Sequence, residues 1–120
     1  MPSQPLPNYL RSHRKRLGLS QDDLAYLLGC KSGTKVSRYE RFRRQPNLAT
    51  VFACEIILRV PARQLFAGVH LSAHRDVLRR VEYLLGQLTG RAETPRVRQR
   101  IVALNAILGV VTDRDNGPAQ

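Results

Sequence analysis

SQDDLAYLLGCKSGTKVSRYERFRRQPNL, Ser20 to Leu48, is the stretch whose reading decides the fold. Ser20 and Asp23 have the spacing of a capping box, and Asp22 and Asp23 complement the positive end of a helix dipole. A helix is therefore predicted over QDDLAYLLG, with Leu24, Leu27 and Leu28 turned inward. Gly29 can take the positive φ that ends it without strain. Ser32 can cap a further helix from about Gly33 to Phe42. Its apolar positions are sparse (Val36, Tyr39 and Phe42), so most of its circumference faces water or a ligand. Asn47 caps the next helix, LATVFACEIIL, which is apolar nearly all round and is expected at the centre of the core. Six of the fourteen residues from Lys31 to Arg44 are Lys or Arg, and Glu40 is the one acid among them. Taken alone, such a run is either solvated surface or a face that meets a polyanion.

The rest of the chain extends the helical pattern in both directions. Upstream, Asn8 caps a helix from Tyr9 to Leu17 that Gly18 stops, with Leu10, His13 or Arg14, and Leu17 along one face. Before it, Pro2, Pro5 and Pro7 make residues 1–8 an extended arm. Downstream, Pro61 suits the first position of a short helix, ARQLF, ended by Gly68. The expected fold class is all-α, with a five-helix domain over residues 9–69. Residues 70–111 follow as a helical hairpin, and 112–120 as a disordered tail. In the hairpin, Val77, Val81, Leu84 and Leu88 form one seam, with Leu78 and Leu85 beside it. After Thr94 and Pro95, Val97, Ile101, Leu104 and Leu108 form a second. Both have 4-3-4 spacing and together offer more apolar surface than two helices can bury. The hairpin either packs on the N-terminal core or, the reading preferred, presents these eight residues as a dimer interface while packing partly on that core.

Charge narrows the partners. The 120 residues carry a formal net charge of +11, with a pI near 11.0. Residues 1–70 hold net +8 and residues 71–120 net +3, so the N-terminal part is the expected polyanion binder. No run of about 18 apolar residues is present, so no membrane span is expected. The first residues lack the pattern of a signal peptide. Cys30 and Cys54 have no metal-binding spacing and read as separate buried thiols of a reducing compartment. The expected location is cytoplasmic.

The arrangement SQ…LA…LG…VSRYE…P…L, carried by Ser20-Gln21, Leu24-Ala25, Leu28-Gly29, Ser37-Arg38-Tyr39-Glu40 and Pro46, resembles the helix-turn-helix of the XRE family, the phage-repressor and Cro-like regulators. The resemblance covers about Tyr9 to Phe66. It implies a five-helix Cro-like domain whose third helix enters the major groove of double-stranded DNA. Carried onto this chain, it makes Thr34 and Arg38 base readers, with Lys35 and Ser37 beside them. It makes Gln21 a phosphate contact and gives Glu40 a structural role, paired with an arginine of the first helix. Arg41, Arg43 and Arg44 would grip the flanking phosphates, as would Arg11 and Lys15 of the basic cluster Arg11, Arg14, Lys15 and Arg16. One departure stands out. Counting back from Glu40, the turn within CKSG is one residue longer than the family pattern, and Gly33 lies where many relatives carry a base-reading side chain.

The resemblance implies a homodimeric transcriptional regulator, more commonly a repressor, on an inverted-repeat operator. Two alternatives remain open at this level. One is an antitoxin whose hairpin holds a partner protein, and the other is a binder of nucleic acid without sequence preference. His70 and His74 share i, i+4 spacing, but no nearby ligand set completes a metal site, and they read as a solvated linker. With no catalytic triad order, phosphate loop or paired carboxylates, neither enzymatic activity nor a cofactor is expected.

Overall fold

The structure, a computed structural model, describes residues 4–109. These form seven helices: α1 (Leu10–Arg16), α2 (Gln21–Leu27), α3 (Thr34–Glu40), α4 (Leu48–Leu58), α5 (Ala62–Leu65), α6 (Ala67–Thr89) and α7 (Pro95–Leu108). Among the described residues there is no strand. The chain divides into two compact units between Ser72 and Ala73. The expected tail, 112–120, lies outside the described residues, as does the start of the arm.

Local chemistry sets the helix ends. Ser20 and Asp23 form the reciprocal capping box, with Ser20 Oγ accepting from Asp23 N–H and Asp23 Oδ2 from Ser20 N–H, both at 2.9 Å. Asn47 caps α4 through Thr50 N–H, and Thr94 caps α7 through Val97 N–H. The first three helices all close with the same paired motif. At the end of α1, Gly18 N–H donates to Lys15 O and Leu19 N–H to Arg14 O; at the end of α2, Gly29 N–H donates to Tyr26 O and Cys30 N–H to Ala25 O. Gly18 and Gly29 supply the positive φ this requires. In α3 the same motif joins Phe42 N–H to Tyr39 O and Arg43 N–H to Arg38 O, with Phe42 itself at φ 63°.

The core of the first unit joins Leu10, Tyr39, Cys54, Leu58, Leu65 and Phe66, and beside it Leu24, Ala25 and Val36. Each fully buried aliphatic side chain here is worth about 1.5–3 kcal/mol of transfer free energy. The segment before α1 is pinned to this unit. Tyr9 N–H donates to Leu65 O at 2.7 Å, and Gly68 N–H donates to Leu6 O at 2.9 Å.

Several expectations are corrected. The stop expected of Gly68 is absent. It lies in the first turn of α6, where a Cβ would come within 2.5 Å of Leu6 O, so its smallness admits the arm. Helix α6 runs unbroken through His70 and His74, where a linker was expected, and through Gly86. Asn8 is not the N-cap of α1, a position Tyr9 takes. Its Oδ1 still accepts from Leu10 N–H, and its amide donates to Tyr39 O. Leu17, Leu27 and Phe42 face solvent rather than the core. Helix α4 buries one side, Cys54 and Leu58, but Leu48, Phe52 and Ile56 are exposed, Ile56 at 76%. Four-residue steps put these three on one face of a helix that the unit covers on the other.

In the second unit Val81 and Leu88 are buried, with Leu78 and Leu85 partly so, while Val77 and Leu84 are exposed. The covered seam of α6 is thus Leu78, Val81, Leu85, Leu88, shifted from the expected one at two of four positions. In α7, Val97, Ile101, Leu104 and Leu108 are all half-buried.

Candidate nucleic-acid interface

Helix α3 is divided lengthwise. Val36, Tyr39 and Glu40 are buried, and Thr34, Lys35 and Arg38 are exposed, with Ser37 intermediate. Val36 packs with Leu24 and Ala25 of α2, where the alanine permits close approach. The helix begins where Asp22 Oδ1 accepts from Gly33 N–H at 2.8 Å. Gly33 is buried at an ordinary φ, and its requirement is space. A Cβ would sit 2.7 Å from Asp22 Oδ1 and 3.1 Å from Gln21 Cβ. Ser32 is not the N-cap. Its hydroxyl accepts from Thr34 N–H at 3.4 Å and donates to Thr34 Oγ1 at 3.2 Å. Gly33 is buried against α2, at the edge of the depression beside Thr34 and Arg38.

Two acids lie at this basic face: Asp22, exposed beside Thr34 and held by Gly33 N–H, and Glu40, which is neutralised from behind. Arg14 Nε donates to Glu40 Oε2 at 2.7 Å and Nη2 to Oε1 at 3.1 Å, with side-chain exposures of 8% and 2%. Gln21 Nε2 adds a third bond to Oε1 at 3.0 Å, and Arg14 Nη1 caps Leu19 O at 2.8 Å. The hydrogen bond to Glu40 pushes the Arg14 guanidinium above its ordinary range against the opposing cost of burial. Arg14 thus leaves the basic cluster of α1, while Arg11, Lys15 and Arg16 remain exposed. Its signal in the sequence was the four-residue step from Leu10 on the inward face. Gln21 is half-buried and holds this network, and its amide has a second hydrogen to give.

Thr34, Arg38 and Arg41 follow one another at i, i+4 and i+7, so they share a face. Depressions lie on both sides of this ridge. One, of about 510 Å³, includes Gln21, Ser37 and Arg41; the other, of about 630 Å³, includes Lys31, Lys35 and Arg44. Thr34 and Arg38 border both. Arg41 Nε donates to Ser37 Oγ at 3.3 Å, and Arg43 and Arg44 are exposed just beyond the helix. Convex, cationic and flanked by grooves, this surface has the shape and charge of a helix that fits the DNA major groove.

The family model of the helix-turn-helix domain matches residues 6–65, half of the chain. The chain belongs to the helix-turn-helix family. The match ends at the last residue of α5, so it takes in the pinned arm, the turn between α2 and α3, and the whole of α3. This is a DNA-binding helix-turn-helix protein, with no helix among the described residues long and apolar enough to cross a membrane. No curated protein and no solved structure matches the chain.

Proposed function

We propose that the chain is a sequence-specific, cytoplasmic transcriptional regulator of the XRE type, acting as a repressor. Helix α3 enters the major groove, where Arg38 donates two hydrogen bonds to guanine N7 and O6 and Thr34 addresses the neighbouring base pair. Lys35 and Ser37 flank them. Gln21, Arg41, Arg43 and Arg44 hold the phosphates, helped by Arg11 and Lys15. The observation that carries the reading is the division of α3, with its acid paired inward and its cations outward. No catalytic step is part of it.

The regulator acts as a homodimer on an inverted repeat. Val77, Tyr83 and Leu84 of α6 and Val102 and Ile107 of α7 are exposed apolar side chains that support association through the hairpin. Val81 and Leu88 are already covered within one chain, so they brace the hairpin rather than meet a partner. Sedimentation of the full chain should give a dimer, and a monomer with and without DNA would end that part of the proposal.

The deciding experiment is selection of bound sites from random duplex DNA by the wild type and by Arg38→Ala. The variant should keep its fold, lose about 1–3 kcal/mol of specific affinity, and relax one guanine per half-site. Identical sites at similar affinity would remove Arg38 from the bases.

A further inference from the structure

Beyond the C-terminal end of α3 lies an apolar pocket of about 460 Å³. Phe42, Pro46, Val51, Phe66 and Val69 form its walls. Phe42 reaches it because the motif ending α3 puts a phenylalanine where glycine is usual, in the left-handed region at φ 63°. A non-glycine residue there costs on the order of 1 kcal/mol, and its ring is left 45% exposed at the pocket edge. Two further lining residues, Arg44 and Arg63, are exposed cations. No carboxylate lines the pocket, and neither arginine belongs to an ion pair among the described residues.

We propose that this pocket binds a small amphipathic carboxylate, its apolar body against the walls and its head at the two guanidinium groups. The volume falls in the range of small-ligand sites, and an apolar interior with a few convergent polar groups is their usual chemistry. Phosphate backbone has no use for the walls, and a neutral apolar molecule has none for the arginines. Arg44 also lines the groove beside Lys35 and Arg38, so a carboxylate bound to it competes with a DNA phosphate. Ligand binding therefore weakens DNA binding. This consequence rests on the DNA reading above; the binding itself does not.

The test titrates the full chain, free of DNA, with octanoate and with 1-octanol, reading backbone amide shifts by NMR. Octanoate should move the amides of Phe42, Val51, Phe66 and Val69 saturably and bind more tightly than the alcohol. Arg63→Ala, an exposed residue outside the DNA surface, should weaken octanoate about tenfold and leave the alcohol unchanged. In a second arm, octanoate should lower affinity for a selected duplex in the wild type and do so less in Arg63→Ala. Equal affinity for acid and alcohol, shifts mapping elsewhere, or no effect of Arg63→Ala would overturn the pocket. Tight octanoate binding with unchanged duplex affinity would overturn the coupling. A chain that binds octanoate but no duplex at all would refute the DNA reading and leave the pocket standing.

Discussion

Replacing Glu40 with alanine is the sharpest probe of how this domain is built. The carboxylate accepts three bonds, at 2.7, 3.1 and 3.0 Å, from Arg14 and Gln21. Its loss strands a guanidinium that is 8% exposed, with Leu19 O as its remaining acceptor. Breaking one side of such a buried pair costs about 3–5 kcal/mol, mostly the desolvation of the charge left behind. A unit of this size has a total stability of roughly 4–11 kcal/mol. Glu40→Ala should therefore remove roughly a third or more of the first unit's stability, although the replaced residue is a single side chain of α3. Arg14→Met with Glu40→Leu removes both charges and should recover to within about 1 kcal/mol of the wild type. The assay is urea unfolding followed through NMR signals of the first unit, completed as a double-mutant cycle. A Glu40→Ala cost below about 1 kcal/mol, or a double variant as unstable as the sum of the singles, would refute the reasoning.

Four shorter predictions accompany it. Gly33→Ala should cost about 1–3 kcal/mol in urea unfolding, because the methyl displaces Asp22 from Gly33 N–H, and adding Asp22→Ala should cost little more. Neutralising Arg41, Arg43 and Arg44 should weaken binding to all duplexes alike and flatten the log–log salt slope by about 0.9 per lost phosphate contact; a changed sequence preference at constant slope would contradict it. Asp23 is held below its ordinary 3.8 by its bonds from Ser20, so its contribution is present above that value and lost as pH falls through the lower folded one. Asp23→Asn should flatten that acid-side fall in the urea midpoint. Burial pushes the Cys54 thiol up to about 11, so alkylation followed by mass spectrometry at neutral pH should label half-buried Cys30 first and Cys54 only as the domain opens.

Much of the fold was legible because its signals are local. The caps at Ser20, Asn47 and Thr94 and the stops at Gly18 and Gly29 close hydrogen bonds between residues at most five apart, so a short window holds the whole interaction. The basic face of α3 was legible too, since its few apolar positions (Val36, Tyr39 and Phe42) had to anchor it and the cations had to lie elsewhere.

What the window could not hold was which apolar or charged side chain finds a neighbour. Helix α4 offers apolar residues all round, and only the packing decides that Cys54 and Leu58 are covered while Ile56 is not. In α6 two seams that share Val81 and Leu88 both fit a helical period, one spaced 4-3-4 and the other 3-4-3, and burial selects Leu78 and Leu85 over Val77 and Leu84. The resemblance implied that Glu40 pairs with an arginine of the first helix, and the packing decides that it is Arg14, 26 residues away, which is thereby taken from the surface into the core. Gly33 and Gly68 read as turn and stop, yet each is small for what approaches it, Asp22 in one case and Leu6 in the other. By itself the sequence determined an all-α chain with a cationic third helix, since period, caps and charge are properties of neighbouring residues, and its resemblance to a family implied the helix-turn-helix. The tertiary structure alone decided which side chains remain on that surface, because burial and pairing depend on segments that only the folded chain brings together.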